Sequence, residues 1–377
     1  MTTTPAAADG MDRGSIMDGY QAVAREGQRT SSFAVELVAQ MWRDRLGYAI
    51  ALTALYVAFL VGPLVNAKPD VTLVLSFLSD IGIYALLLLS LAAGVMLLRL
   101  GLVHHSQSPA RDLAAMVGRF AIANGRGPAL ISAIFVQMGF SIAFAVLKAA
   151  IALLRPFTFD RAFSDMDRFL HFGVLPHDWL LPLFGSPTAI LGLNVAYHVW
   201  FGLLLTSFFA TGMMTGRLAV VRMQYMLAFL MLWFFGGFVI ATLLSSAGPA
   251  FFERIGAGAD YAPLMAHLQA VNAVVPVWAL HGHEALWDGF VGLRDGFAGI
   301  SAMPSMHIGT ATLFALAGNA VNRRLGYVLW AYAGVIMVGS VVLAWHYAVD
   351  GYAAALLAIG LWKLAGRIAR RMADRAS

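Results

Sequence analysis

The sequence predicts an all-α fold: a polytopic membrane helix bundle of about eight transmembrane helices that includes a six-helix core. Three observations carry this. Hydrophobic residues make up 60% of the 377 residues and charged residues 12%, against roughly 45–50% and about 25% in soluble domains. The mean hydropathy is +0.75, too high for a chain that must cover itself with polar surface in water. The apolar residues also gather into separate runs of about 20, the length that crosses a bilayer as helix. Together these exclude a soluble enzyme, a disordered chain and a nucleic-acid-binding protein. The net charge of +5 does not alter that, because the cations flank the apolar runs, where membrane orientation requires them. With no cysteine, disulfides, thiolate metal sites and cysteine nucleophiles are excluded as well.

Residues 1–45 precede the first apolar run and do not resemble a cleavable signal peptide, whose apolar stretch lies nearer the start. They read as a cytoplasmic tail, disordered over 1–30, that ends in an interfacial amphipathic helix. Phe33, Ala34, Leu37, Val38, Met41 and Trp42 fall on one face of that helix. Candidate spans follow at roughly 46–66, 73–98, 130–153, 189–210, 225–245, 305–321, 326–345 and 347–366. A second interfacial helix begins at Ser108-Pro109, a good N-cap followed by proline at the first helical position. Its stripe is Leu113, Met116, Val117 and Phe120. Residues 46–129 thus hold two accessory spans and a cytoplasmic interfacial helix, 130–366 the six-helix core, and 367–377 a basic cytoplasmic tail.

Eight spans put both termini on one side. That side collects 18 of the 25 Lys and Arg residues, and the other side has 7: Lys68, Lys148, Arg155, Arg161, Arg168, Arg254 and Arg294. Positive residues stay in the cytoplasm. Both termini are therefore expected there, and the long connections 154–188 and 246–304 face outward.

Three short clusters carry chemistry. Lys148 lies near the outer end of the third span, and Arg155 follows seven residues later, before Pro156. Proline disfavours helix at the residue before it, so the span ends at Arg155. Two helical turns place the cations about 10 Å apart along the axis and on one side; a snorkelling lysine beside an interfacial arginine is the plainer account. In Met303-Pro304-Ser305-Met306-His307, Ser305 is placed as an N-cap, and the free N–H groups behind it attract anions; a capped helix start with an incidental histidine is the alternative. His346 and Asp350, four apart, share a face if helical. The carboxylate then holds one imidazole nitrogen and leaves the other free as a nucleophile; a structural hydrogen bond or a proton relay would use the same pair. By the span order, all three clusters fall at the outer face.

The ordered trio K-x6-R-P (Lys148 to Pro156), P-S-x-H (Pro304 to His307) and H-x3-D (His346 to Asp350) resembles the type 2 phosphatidic acid phosphatase superfamily of membrane lipid phosphatases and phosphotransferases. The Met-Pro-Ser-Met-His form, with two extra spans between the first and second motifs, looks more like the inositol phosphorylceramide synthase branch. The resemblance covers roughly 130–366. It implies that His346 attacks phosphorus and becomes phosphohistidine, that Asp350 orients it, and that His307 protonates the leaving oxygen and then activates the acceptor. It implies that Lys148, Arg155, Ser305 and nearby backbone N–H groups hold the phosphoryl oxygens. Phosphoryl transfer is mostly positioning and charge stabilisation, so no metal and no cofactor are expected.

One departure stands out. The family pattern has Ser-Arg ahead of the third motif, where this chain has Gly339-Ser340. Ser340 can donate a hydrogen bond but no charge, and Arg294 in the outer loop is a candidate substitute. Elsewhere, His281, His283 and Glu284 resemble a metal-ligand cluster only by spacing. Ser246-Ala-Gly-Pro249 marks a helix-ending turn or a rim of the site. Asp80 and His198 read as buried polar contacts or relay groups.

The expected function is that of a membrane enzyme which transfers a phosphoryl or phospho-headgroup unit from a lipid phosphate at the outer leaflet to His346, and then to water or to an alcohol. A lipid or proton-coupled transporter is the alternative outside enzymes. The expected partners are the lipid phosphate substrate and membrane lipids, with no nucleic acid; the oligomeric state is left open. The expected location is a bacterial inner membrane, with the site on the periplasmic face.

Overall fold

The computed structural model describes residues 33–64, 71–122, 125–293 and 299–375. The expected tail at 1–30, Arg294 and the side chain of Asp80 lie outside the described set. Among the described residues the chain is helical, without strands. α1 (33–43) leads into α2 (Arg45–Leu64), α3 (Val71–Leu102), α4 (Pro109–Ile122) and α5 (Arg126–Leu154). Two short helices follow, α6 (Asp160–Leu170) and α7 (Pro176–Phe184), then the long α8 (Pro187–Gly212). α9 starts at Ala219, passes through a π-helical stretch (Leu232–Ile240) and ends at Leu243. α10 (Ala262–Asn272) and α11 (Trp278–Phe290) are again short, and α12 (Met306–Val321), α13 (Arg323–Val342) and α14 (Ala348–Asp374) close the chain.

Six of these helices are long and apolar enough to cross a membrane, and the described part of α3 and the shorter α12 are apolar too. The protein is therefore a polytopic membrane helix bundle. Its outer surface is apolar: Leu52, Tyr56 and Phe59 on α2 and Leu86, Leu91 and Leu98 on α3 are more than half exposed. Such a surface is tolerable only in lipid. α1 and α4 carry exposed stripes at Val38 and Trp42 and at Met116, Val117 and Phe120, as interfacial helices do.

The helices pack where small residues let backbones approach. α2 lies along α5 through Ala51, Ala54 and Ala58, which are buried. In the π-helical stretch of α9, a Cβ on Gly237 would collide with the Phe144 ring, and one on Gly236 or Gly237 would press on Met306. Trp233 donates from Nε1 to Thr310 Oγ1 across this seam, at 3.1 Å.

One end of the bundle is tied by charge. Arg222 on α9 donates to both oxygens of Asp44, at 2.6 and 2.8 Å, and to the Ala129 carbonyl at 2.8 Å. Ser132 donates to the same carboxylate at 2.7 Å. This pair is buried and joins the start of α2 to the starts of α5 and α9. An open cavity of about 670 Å³ beside it is lined by α1, α2, α5, α9 and the end of α14.

Removing one partner from such a pair leaves an uncompensated buried charge. Arg222→Ala is expected to destabilise the bundle by about 3–5 kcal/mol, seen as earlier thermal unfolding in detergent.

Candidate active site

The opposite end of the bundle brings together three stretches of non-helical chain. They follow α9 (residues 244–248), precede α12 (299–305) and join α13 to α14 (343–347). Ala302 donates its N–H to the Ser246 carbonyl at 2.9 Å, and Met303 donates to Ser246 Oγ at 3.2 Å. Ala250 donates to the Ala344 carbonyl at 3.1 Å. Gly248 takes φ 103°, a conformation that side-chain-bearing residues rarely adopt; a Cβ there would press on the Trp345 carbonyl and on Ala302.

α12 starts as its sequence predicts. Ser305 is the N-cap, its hydroxyl accepts the Ile308 N–H at 3.4 Å, and its own N–H donates to the Asp350 carbonyl at 3.1 Å. Capping leaves the N–H groups of Met306 and His307 without an intrahelical acceptor. The His307 ring packs at a tilt against Tyr197 at 4.6 Å and Trp200 at 4.5 Å, and Trp200 Nε1–H donates to the His307 carbonyl at 3.0 Å. The rings of His307 and His346 lie 5.8 Å apart.

His346 corrects one expectation. It does not share a helical face with Asp350, because α14 begins only at Ala348, with Tyr347 as its N-cap. Asp350 Oδ2 accepts the Tyr347 N–H at 3.0 Å and lies 3.5 Å from His346 Nδ1. The nearer partner is the Ala302 carbonyl, 2.9 Å from Nδ1. A carbonyl only accepts, so Nδ1 carries the proton and Nε2 keeps its lone pair. Among the described residues no hydrogen bond reaches Nε2.

Lys148 projects from α5 toward this junction. Its Nζ donates to the Ser301 carbonyl at 3.3 Å, and it is close enough to act electrostatically on both histidines. α5 ends at Leu154, where Pro156 requires it to; Arg155 is extended, and its guanidinium lies over the Phe159 ring at 5.2 Å. The structure thus brings together His307, His346, Lys148, Ser305 and Asp350, and draws Arg155 aside to Phe159. Ser340 is fully buried, shares a hydrogen bond with the Tyr197 hydroxyl at 2.7 Å, and accepts the N–H groups of Trp345 and His346 on its carbonyl, both at 3.0 Å.

The other flagged residues lie elsewhere. His283 on α11 is buried against the Trp345 ring at 4.2 Å, and burial pushes its pKa down to about 3. Glu284 turns away to pair with Arg254, so the two do not converge on a metal. His198 donates from Nδ1 to its own helix at the Asn194 carbonyl, at 2.8 Å.

Sequence reasoning missed two carboxylates. Asp160 on α6 accepts the N–H groups of Ala247 and Gly248 at 2.9 and 2.8 Å, and the Tyr347 hydroxyl at 2.8 Å. Asp167, two turns on, accepts the N–H groups of Ala348 and Val349 at 2.8 and 2.9 Å. Their signal was present: Asp160, Ser164 and Asp167 recur at helical spacing on one face, and all three are buried. Burial raises the pKa of Asp160 against the pull of those donors. It pushes that of Asp167 up to about 6, with Asp350 adding to the rise and the N–H donors and His171 opposing it.

These features define a class, a membrane helix bundle with two facing imidazoles, a buried lysine and a capped helix start at one end. The chain belongs to the PAP2 superfamily, a family of membrane lipid phosphatases, whose model matches residues 161–364, more than half of the chain. The match contains Ser305, His307, Ser340, His346 and Asp350, and begins after Lys148 and Arg155. No curated protein and no solved structure matches the chain.

Asp167 yields a test in pH. Its folded pKa stands at about 6 against an ordinary 3.8, so the folded state binds the extra proton between those values. The stability this group contributes is fully present below about 3.8 and is lost as pH rises through about 6. Asp167→Asn is expected to remove that decline, read as the unfolding temperature in detergent across that window.

Proposed function

We propose that this protein is a lipid phosphatase or phosphotransferase that works through a phosphohistidine on His346. The observation that carries the reading is the bond from His346 Nδ1–H to the Ala302 carbonyl, which leaves Nε2 as an unprotonated nucleophile. Nε2 attacks the phosphorus of a lipid phosphate, and the bond from phosphorus to the leaving oxygen breaks. His307, on the facing helix, gives that oxygen a proton. Water or an alcohol then attacks the phosphohistidine, passes its proton to His307 and releases His346. Asp350 stabilises the imidazolium that forms. Lys148, Ser305 and the free N–H groups of Met306 and His307 take the phosphoryl oxygens, while Arg155, held over Phe159, would have to swing from that ring to join them. Arg294 stands in for the arginine that the Gly339-Ser340 sequence lacks. Metal is not needed where a lysine and a helix N-terminus supply the positive charge.

The Met-Pro-Ser-Met-His sequence and the two spans between the first and second motifs favour transfer over hydrolysis, in the manner of the inositol phosphorylceramide synthase branch. The basic residues near both termini favour a cytoplasmic placement of those ends. The site then opens to the outer leaflet, in a bacterial inner membrane.

The deciding experiment follows free phosphate from phosphatidic acid with purified protein in detergent and chelator. His346→Ala is expected to lower turnover by about 10⁴-fold or more; full turnover in that variant overturns the mechanism. Lys148→Ala is expected to cost about 10²-fold. Turnover that appears only with an inositol phospholipid and an alcohol acceptor identifies a transferase. Normal activity in Arg294→Ala removes Arg294 from the site.

A further inference from the structure

α6 carries none of the motif residues, yet it touches the loops on both sides of His346. Its inward face carries Asp160, Phe163, Ser164 and Asp167, all buried. Its outward face carries Arg161 and Asp165 beside Phe169 and, just beyond the helix, Phe172, the last two more than four-fifths exposed. The helix therefore presents two carboxylates to the protein interior.

The two carboxylates make the same contact twice. Each spreads its two oxygens over two consecutive backbone N–H groups, Asp160 over Ala247 and Gly248, and Asp167 over Ala348 and Val349. Their seven-residue spacing separates them by about 10 Å on one face, which lets one rigid helix serve two different loops. We infer that Asp160 and Asp167 are positioning residues that aim the His346 imidazole by fixing the loops that carry it and its acceptor; this rests on the nucleophile assigned above.

Two chains of bonds lead from α6 to His346. The first reaches its backbone: Asp167 grips the first turn of α14 directly after Tyr347, and Asp160 accepts the Tyr347 hydroxyl. The second reaches its ring. Asp160 fixes Ala247 and Gly248, the adjacent Ser246 holds Ala302 and Met303, and the Ala302 carbonyl accepts His346 Nδ1–H. Both the anchor of the side chain and the acceptor that sets its tautomer therefore trace to one helix. A carboxylate suits this work because two adjacent N–H groups, shielded from water, need two acceptor oxygens. Asparagine offers one, and its NH₂ group faces the second donor.

The test uses the full chain in detergent, with ¹⁵N-labelled histidine and the His346 ring signals assigned by their loss in His346→Ala. The wild type is expected to show a protonated Nδ1 and a bare Nε2. Asp160→Asn and Asp167→Asn are expected to move those signals toward mixed tautomers. On a lipid phosphate substrate they are expected to lower kcat by about 10²-fold, with KM changed by less than about threefold. A merely structural role moves neither the tautomer nor this split. Unchanged His346 signals in both folded variants overturn the inference. If either variant fails to fold, Tyr347→Phe, which deletes one hydroxyl, is read in its place: a shift in the same direction supports the inference and an unmoved ring overturns it. The ring signals are read without substrate. A tautomer shift in a protein that turns over no lipid phosphate therefore supports the positioning role and counts only against the enzymatic reading.

Discussion

Non-helical chain is costly near hydrocarbon, because its N–H and C=O groups find no water there and must find one another. Three such stretches meet at one end of this bundle, and the bonds between them set everything else about the site. Ser246 satisfies Ala302 and Met303, Ala344 satisfies Ala250, and Ser340 satisfies Trp345 and His346. The Ala302 carbonyl left over by this arrangement is the one that takes the proton of His346. The tautomer of the candidate nucleophile is thus a consequence of how the loops saturate each other.

The two ends of the bundle handle buried charge differently. At the end near Arg222 the charges are matched, and a bidentate guanidinium–carboxylate pair ties together helices far apart in sequence. At the histidine end the carboxylates of Asp160 and Asp167 meet backbone N–H groups and a tyrosine hydroxyl. Lys148, the cation there, donates to a carbonyl and lies within electrostatic reach of the two imidazoles. Backbone donors stabilise a carboxylate without neutralising it. A cation that is not bound to a carboxylate remains available to an incoming anion.

Aromatic neighbours surround the His307 imidazole. Tyr197 and Trp200 pack at a tilt against His307, and Trp345 lies parallel to Tyr197 at 6.3 Å. Packed aromatic side chains have few alternative rotamers, so the His307 ring is held in place, while the Ala302 carbonyl holds that of His346. Positioning of this kind is what phosphoryl transfer asks of a protein.

The sequence by itself determined the bundle, the C-terminal end of α5 and the start of α12, and most of the clustered residues, though it also counted Arg155, which the fold turns to Phe159. Those features are local: apolar runs set the spans, Pro156 ends α5, and Ser305 caps α12 by accepting an N–H only three residues on. It misplaced the partner of His346. The four-residue spacing to Asp350 suggests a shared helical face, whereas the helix starts two residues after the histidine and a carbonyl 44 positions away in the chain is the nearer acceptor. It also passed over Asp160 and Asp167, which look like surface charges on an amphipathic segment until the bundle shows which face turns inward. Ser340 and Tyr197, 143 residues apart, meet only in the folded chain. Local spacing reports what a helix does to its own residues. Which side chain meets which loop is decided by long-range packing, because only the assembled bundle determines where each buried donor finds its acceptor.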